Sequence, residues 1–364
     1  MSWYDTDWDY RVEITVDNTQ VDGDLSDFPV YVDLSDMPES FFTNVDSAGA
    51  DIRITRSDGT TECAFELVSI DTGGSTGELH FKANFVSSTS DTSFFLYYGN
   101  AGAAGYAVTD TYGRNNVWTS NFLAVWHLGE TFSSDSTATD STGNGRNFTI
   151  NNTPSNAGGK LSGDTLSLNG VNEYLEYNDS SDVFAVQPIT VSFWFKPHSV
   201  GTSVEDVISK GQSGPDRTKF SWQFAYNRAT TDDIRFMVSD SSDISQISTT
   251  SNLVNTWELI HGTVNTFNQS ELFNNGSSIG TDNTTSSINT NPTVKVLSLG
   301  RSGGSGNYFD GDVDEIRIRS TVSSSDWVST EYNNQNDTST FYTVTDISGA
   351  TLSTTKPMQP IWFM

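Results

Sequence analysis

Residues 166–197 read LSLNGVNEYLEYNDSSDVFAVQPITVSFWFKP, and the fold is decided by this stretch. It holds two strand-like runs joined by a polar loop. In the first, Leu166, Leu168, Tyr174 and Leu175 flank Asn169-Gly170, a strong turn signal because both residues accept φ > 0. In the second, Ile189 to Phe195 is dense in β-branched and aromatic residues and stops at Lys196-Pro197. Val191, Phe193 and Phe195 take one face and Trp194 the other. A strand that is apolar on both faces belongs in the middle of a sheet.

The rest of the chain has the same texture. Its 364 residues are 12% aromatic and include 29 glycines, with Ser, Thr, Asn and Asp filling the gaps between short apolar runs. That is an all-β composition with room for more than one domain. Residues 1–112 carry alternating runs at Tyr10–Val16, Phe28–Leu34, Asp51–Thr55, Cys63–Val68, Glu78–Lys82 and Ser93–Tyr98, and the turn spacing predicts a first β-sandwich. Residues 113–120 read as a linker, 121–337 as a second sandwich and 338–364 as an extended tail. Ser325 to Asn333 is the best helix candidate, with Trp327 and Tyr332 as anchors.

The strand pair at 166–197 resembles the opening of LamG-like, concanavalin A-like jelly-roll domains. Further short matches follow in the family's order: Val207–Gly211, Trp257–His261, Glu271–Gly276, Leu297–Arg301 and Phe309–Ile318. Asp140 to Gly145 is similar to a loop near the front of such domains. Residues 1–112 resemble an uncharacterised β-rich family often found just ahead of them, through Trp8-x-x-Arg11, Asp27–Val30, Ala50–Arg53, Ser57–Glu62 and Leu96–Asn100. That second resemblance implies no activity. Together they imply an all-β protein, an N-terminal sandwich followed by a concanavalin A-like jelly roll.

Charge excludes some partners. The net charge is −28, from 46 acidic against 18 basic residues. A surface that tracks phosphates needs clustered Lys and Arg, so nucleic acid is not expected as a partner, nor is an anionic membrane. No run approaches the roughly 18 apolar residues of a membrane-spanning helix. The acidity suits solubility, a saline medium that screens charge, or calcium binding. The single cysteine, Cys63, reads as a small buried hydrophobe, since no basic cluster surrounds it. The opening MSWYDTDWDYR has neither a basic n-region nor an apolar h-region, so it does not read as a Sec signal. The expectation is a place on a virion surface or outside a cell, reached another way.

The jelly-roll resemblance makes glycosidase chemistry the first test. The E-x-D-x-x-E run of the laminarinase-like branch is missing. Asp310, Asp312 and Asp314 alternate beside Glu315, but the resemblance makes that segment structural. The histidines at 80, 127, 198 and 261 show no metal-binding spacing, so zinc chemistry is not expected. Calcium fits better: by resemblance, Asp314 stands where related sandwiches hold a structural Ca²⁺. Asp140 and Asn144 lie in a Gly-containing loop that could present oxygens, or else simply cap their own backbone. For sugar, Trp222 and Tyr226 share one strand face with Arg228 beyond, which makes either a stacking platform or part of the core.

The expectation is a non-enzymatic surface protein that binds a glycan or glycoprotein. Virion decoration or fibre is the first setting, with attachment to other subunits through the C-terminal tail and homo-oligomerisation as a possibility. A secreted or cell-surface carbohydrate-binding module is the alternative, and a glycoside hydrolase a third class.

Overall fold

The computed structural model describes residues 3–348 apart from 120, 162, 199–203, 215, 228–231, 250–252, 268, 286 and 305. The strands sort into two sandwiches, as the sequence predicts. In the first, one sheet runs Tyr342–Asp346, Tyr10–Val16, Thr92–Tyr98, Arg53–Arg56, and the facing sheet runs Phe28–Asp33, Thr76–Ala83, Phe65–Asp71. Val12, Ile14, Phe28, Val30, Leu79, Phe81, Phe94 and Leu96 fill the space between them. Cys63 lies buried in this core, and burial pushes its thiol up to about 12.

The second sandwich is larger. Its first sheet has Ile189–Pro197 in the interior, paired antiparallel with Glu258–Val264 on one side and Asp310–Arg319 on the other. The second sheet is built on Val204–Gly211, Phe220–Asn227 and Asp233–Ser239, flanked by Val296–Leu299 and Tyr174–Asn178. The Asn169-Gly170 turn forms, with Gly170 at φ +68°. It does not close a hairpin: Asp164–Asn169 belongs to the first sheet and Tyr174–Asn178 to the second, so the chain changes layers there.

Three parts of the chain tie the sandwiches together. The helix Ser325–Asn336 starts on a Ser324 cap whose hydroxyl accepts from the Trp327 amide, 3.2 Å. Its Asn334 side chain bonds both backbone groups of Tyr31, at 2.7 and 2.9 Å, so the helix grips the first sandwich while its base lies on the second. The expected linker is not loose, because Val117 and Trp118 are buried in the first core. The expected C-terminal tail also needs correction. Residues 338–346 form a helical turn and a strand, Tyr342–Asp346, that pairs with Tyr10–Val16, and Phe341 and Tyr342 are buried. An antiparallel edge strand and two aromatic side chains gain more by joining the first sandwich than by staying in water. Residues 349–364, which hold the rest of that tail, lie outside the described residues.

Candidate functional site

Two concave places among the described residues stand out for the polar groups they gather. The first is a hollow of about 260 Å³ on the outer face of the second sandwich. Side chains alternate along a strand. In Phe220–Asn227, Trp222, Phe224 and Tyr226 point into the core, so Gln223 points out; in Asp233–Ser239, Ile234, Phe236 and Val238 point in, so Arg235 and Met237 point out. Asp206 and Asn307 complete the polar wall. One Asp206 oxygen, Oδ2, accepts from the Ser213 hydroxyl at 2.9 Å and the Asn307 amide at 3.0 Å. The other, Oδ1, and Gln223 Oε1 are buried acceptors with no partner among the described residues. Burial pushes the Asp206 carboxyl up to about 6.

This geometry corrects the sequence-based choice of sugar-contacting aromatics. Trp222 and Tyr226 are both 0% exposed. The Trp222 indole N–H donates to the Phe184 carbonyl at 2.7 Å, and the Tyr226 hydroxyl is bonded to Asp232. Neither ring can stack on a pyranose. Arg228 lies outside the described residues. On this strand the side chain that faces the hollow is Gln223.

The second place is a cleft of about 660 Å³ between the sandwiches, lined among others by Phe65, Glu66, Glu78, Tyr106, His127 and Glu130. Its floor is a buried polar seam. Glu78 and His80 stand two apart on Thr76–Ala83 and so share a face, and Glu66 opposes His80 on the neighbouring strand. From the second sandwich come His127, immediately after Phe122–Trp126, and Glu315 from Asp310–Arg319. Glu315 has φ +51°. It sits at a bulge where the register against Ile189–Pro197 slips between Ser192 and Trp194, and where its other neighbour changes from Asp164–Asn169 to Phe122–Trp126. The left-handed backbone of a non-glycine residue costs of the order of 1–3 kcal/mol and here aims a carboxylate into the seam.

The contacts there are short and continuous. His80 Nε2 lies 2.9 Å from Glu78 Oε1, and His127 Nδ1 lies 3.4 Å from the same oxygen and touches Glu315 Oε1. His127 Nε2 meets Glu66 Oε2 at 3.1 Å. Glu66 also accepts from Trp118 Nε1 at 2.5 Å and from Ser141 Oγ at 2.7 Å. The second Glu315 oxygen takes Arg317 at 2.8 Å, whose other arm reaches Glu331 at 2.8 Å; His261 joins Glu331 at 3.0 Å. Burial, with the Glu315 charge added, holds the Glu78 carboxyl well above the usual carboxylate range. Burial keeps His80 well below the usual histidine range. For His127 burial pulls the same way, but the Glu315 and Glu66 carboxylates outweigh it and raise its value.

The residues singled out for calcium border this seam. Asp314 Oδ2 accepts from the Lys160 and Leu161 amides at 2.8 and 3.2 Å, and burial with the Glu315 charge pushes its carboxyl up to about 7. Asp140 accepts from the amides of Val125, Thr142 and Arg146, and Asn144 donates to the Phe122 and Leu123 carbonyls. These are backbone-capping roles; they hold the loop that sets Ser141 against Glu66. Three of the four histidines meet in the seam, which no local motif announces.

Residues 168–329, within the second sandwich, match the model of the concanavalin A-like lectin/glucanases superfamily. No curated protein matches the chain. Among solved structures, the chain is similar to the receptor-binding domain of botulinum neurotoxin type G, with 14% identity over 59% of this chain and 52% of that one and a TM-score of 0.45. It is also similar to domain 4 of AbnA, a GH43 extracellular arabinanase from Geobacillus stearothermophilus, in complex with arabinotriose, with 18% identity over 58% of this chain and 98% of that one and a TM-score of 0.45. The binding domain of Paraclostridial Mosquitocidal Protein 1 gives 16% identity over 58% and 52%, with a TM-score of 0.45. The chain spans about half the length of the two toxin domains.

Proposed function

We propose that this chain, a concanavalin A-like jelly roll behind a smaller sandwich, is a non-enzymatic adhesion protein that holds a glycan in the hollow around Asp206 and Gln223. The observation that carries the reading is the pair of buried acceptors, Asp206 Oδ1 and Gln223 Oε1, that meet no donor among the described residues. A buried acceptor costs roughly 1–3 kcal/mol when unsatisfied, and a sugar supplies hydroxyl donors at close spacing. Asn307 and Arg235 stand beside them as donors to ring and hydroxyl oxygens. A glycan array probed with the intact chain tests the reading: reproducible binding to at least one oligosaccharide class, lost in Gln223→Ala, supports it, and no binding contradicts it.

Hydrolysis is the competing reading, favoured by the carboxylates on the floor of the cleft. Against it, both oxygens of Glu66 and both of Glu315 are engaged by protein groups, which leaves neither free to act as nucleophile or base. Release of reducing ends from any bound glycan would overturn the non-enzymatic part of the proposal.

We extend the proposal to a setting on a virus particle from a saline host, as a decoration or fibre subunit. The net charge of −28 and the two all-β modules support it. Mass spectrometry of purified virions tests it. A structural calcium ion at Asp314 is a separate proposal, tested by adding calcium and EDTA to wild type and Asp314→Asn.

A further inference from the structure

We propose that Glu78, His80, His127 and Glu315 bind one divalent transition-metal ion, with zinc the best fit, and that the ion staples the two sandwiches together. The geometry is the first ground. One ligand atom from each of the four lies within 4.8 Å of every other, and all four side chains are buried. A tetrahedral ion with bonds of about 2.0–2.2 Å sets its ligands about 3.3–3.6 Å apart. The contacts from Glu78 Oε1, 2.9 Å to His80 Nε2 and 3.4 Å to His127 Nδ1, lie near that spacing, and the closer His127–Glu315 pair would open to admit the ion.

Chemistry selects the class of ion. Two imidazole nitrogens and two carboxylate oxygens suit zinc, and cobalt, manganese or iron less well; calcium and magnesium favour sites built of oxygen alone. The surrounding groups match what a bound ion requires. A metal-binding histidine usually has its far nitrogen fixed by a carboxylate, and His127 Nε2 is held by Glu66, itself fixed by Trp118 and Ser141. Glu315 is oriented by Arg317 through the oxygen that does not face His127.

Entry is open too, since Glu78 and His127 line the cleft. Because two ligands come from each sandwich, binding is linked to the closed arrangement of the two.

The test uses the full chain. After exhaustive EDTA dialysis, Co²⁺ and Zn²⁺ are titrated in, with stoichiometry by elemental analysis, the visible ligand-field spectrum of Co²⁺ and the melting temperature as readouts. The proposal predicts one ion per chain, the intense visible bands of a four-coordinate Co²⁺ with nitrogen ligands, and a melting temperature that rises with metal. His80→Gln removes the spectrum, while Glu130→Gln, in the same cleft, leaves it unchanged. Glu66→Gln keeps the spectrum and weakens affinity about ten- to a hundredfold, which separates a ligand from its support and serves if His80→Gln does not fold. Substoichiometric metal with no spectrum and no thermal shift overturns the proposal and leaves a hydrogen-bonded seam. Stabilisation by Ca²⁺ alone, lost in Asp314→Asn, also overturns it. None of these outcomes touches the Gln223 hollow, so this proposal and the glycan reading fail separately.

Discussion

His80 and His127 stack across the junction of the two sandwiches, with ring centroids 4.9 Å apart and planes 20° from parallel. One ring belongs to the first sandwich and one to the second, and each carries carboxylates on its edge. The junction therefore carries a buried polar seam beside its apolar contacts, in which Phe122, Val125 and Trp327 join the first core. Its stability depends on complete pairing, since a buried ion left without its partner is far costlier than a neutral gap.

Arg317 is the most exposed point of that balance. It bridges Glu315 and Glu331 from a fully buried position. Replacing Arg317 with Met keeps the bulk and strands both carboxylates. The expected loss is about 3–5 kcal/mol of unfolding free energy, read from denaturant curves. A loss below about 1 kcal/mol would show that water or rearrangement replaces the guanidinium.

Trp222 tests the face assignment of its strand. It is enclosed in the second core, so Trp222→Ala should destabilise by about 3–5 kcal/mol, and the milder Trp222→Phe should lower the melting temperature while leaving glycan affinity unchanged. A Trp222→Phe variant with normal stability and lost binding would restore the stacking role that burial argues against.

Asp206 predicts a pH dependence of known sign. In the folded chain its carboxyl keeps its proton up to about 6, whereas in the unfolded chain it gives it up near an ordinary ~3.9. Between those values the native state binds more protons, so stability falls as pH rises through that window, by up to roughly 2–3 kcal/mol from this group. Asp206→Asn should remove that slope and raise the melting temperature at pH 7, while weakening glycan binding. An unchanged pH profile in the variant would show that another group sets it.

The strand Tyr342–Asp346 gives a truncation its expected result. Ending the chain after Asn336 removes the edge partner of Tyr10–Val16 and the buried side chains of Phe341 and Tyr342. Each aromatic buries about 1.5–3 kcal/mol, so the first sandwich should melt well below the full chain. Normal melting of that truncation would mean that the strand is dispensable.

Much of the fold is legible in the sequence because it is local. The run from Ile189 to Phe195 sends Ile189, Val191, Phe193 and Phe195 into the core, and the strand Ile189–Pro197 occupies the interior of its sheet with only Lys196 half-buried along its length. The helix candidate Ser325 to Asn333 forms as Ser325–Asn336. The site is much less legible. Alternation marks Trp222 and Gln223 as opposite faces of one strand but does not say which face meets the other sheet. The seam is harder still: His127 and Glu315 are 188 positions apart, and His127 and Glu66 are 61 apart. The positive φ that turns Glu315 inward arises from a bulge against a third strand. Scattered histidines without motif spacing give no warning that topology will stack two of them.

The most direct test of the central claim is calorimetric titration of the oligosaccharide that binds best on an array, into wild type and into Gln223→Ala and Asp206→Ala. The account predicts saturable 1:1 binding to the wild-type chain and at least about tenfold weaker binding to each variant, corresponding to about 1.4 kcal/mol per lost contact, with melting behaviour that shows both variants folded. Equal affinity in all three would contradict it and move the ligand away from this hollow.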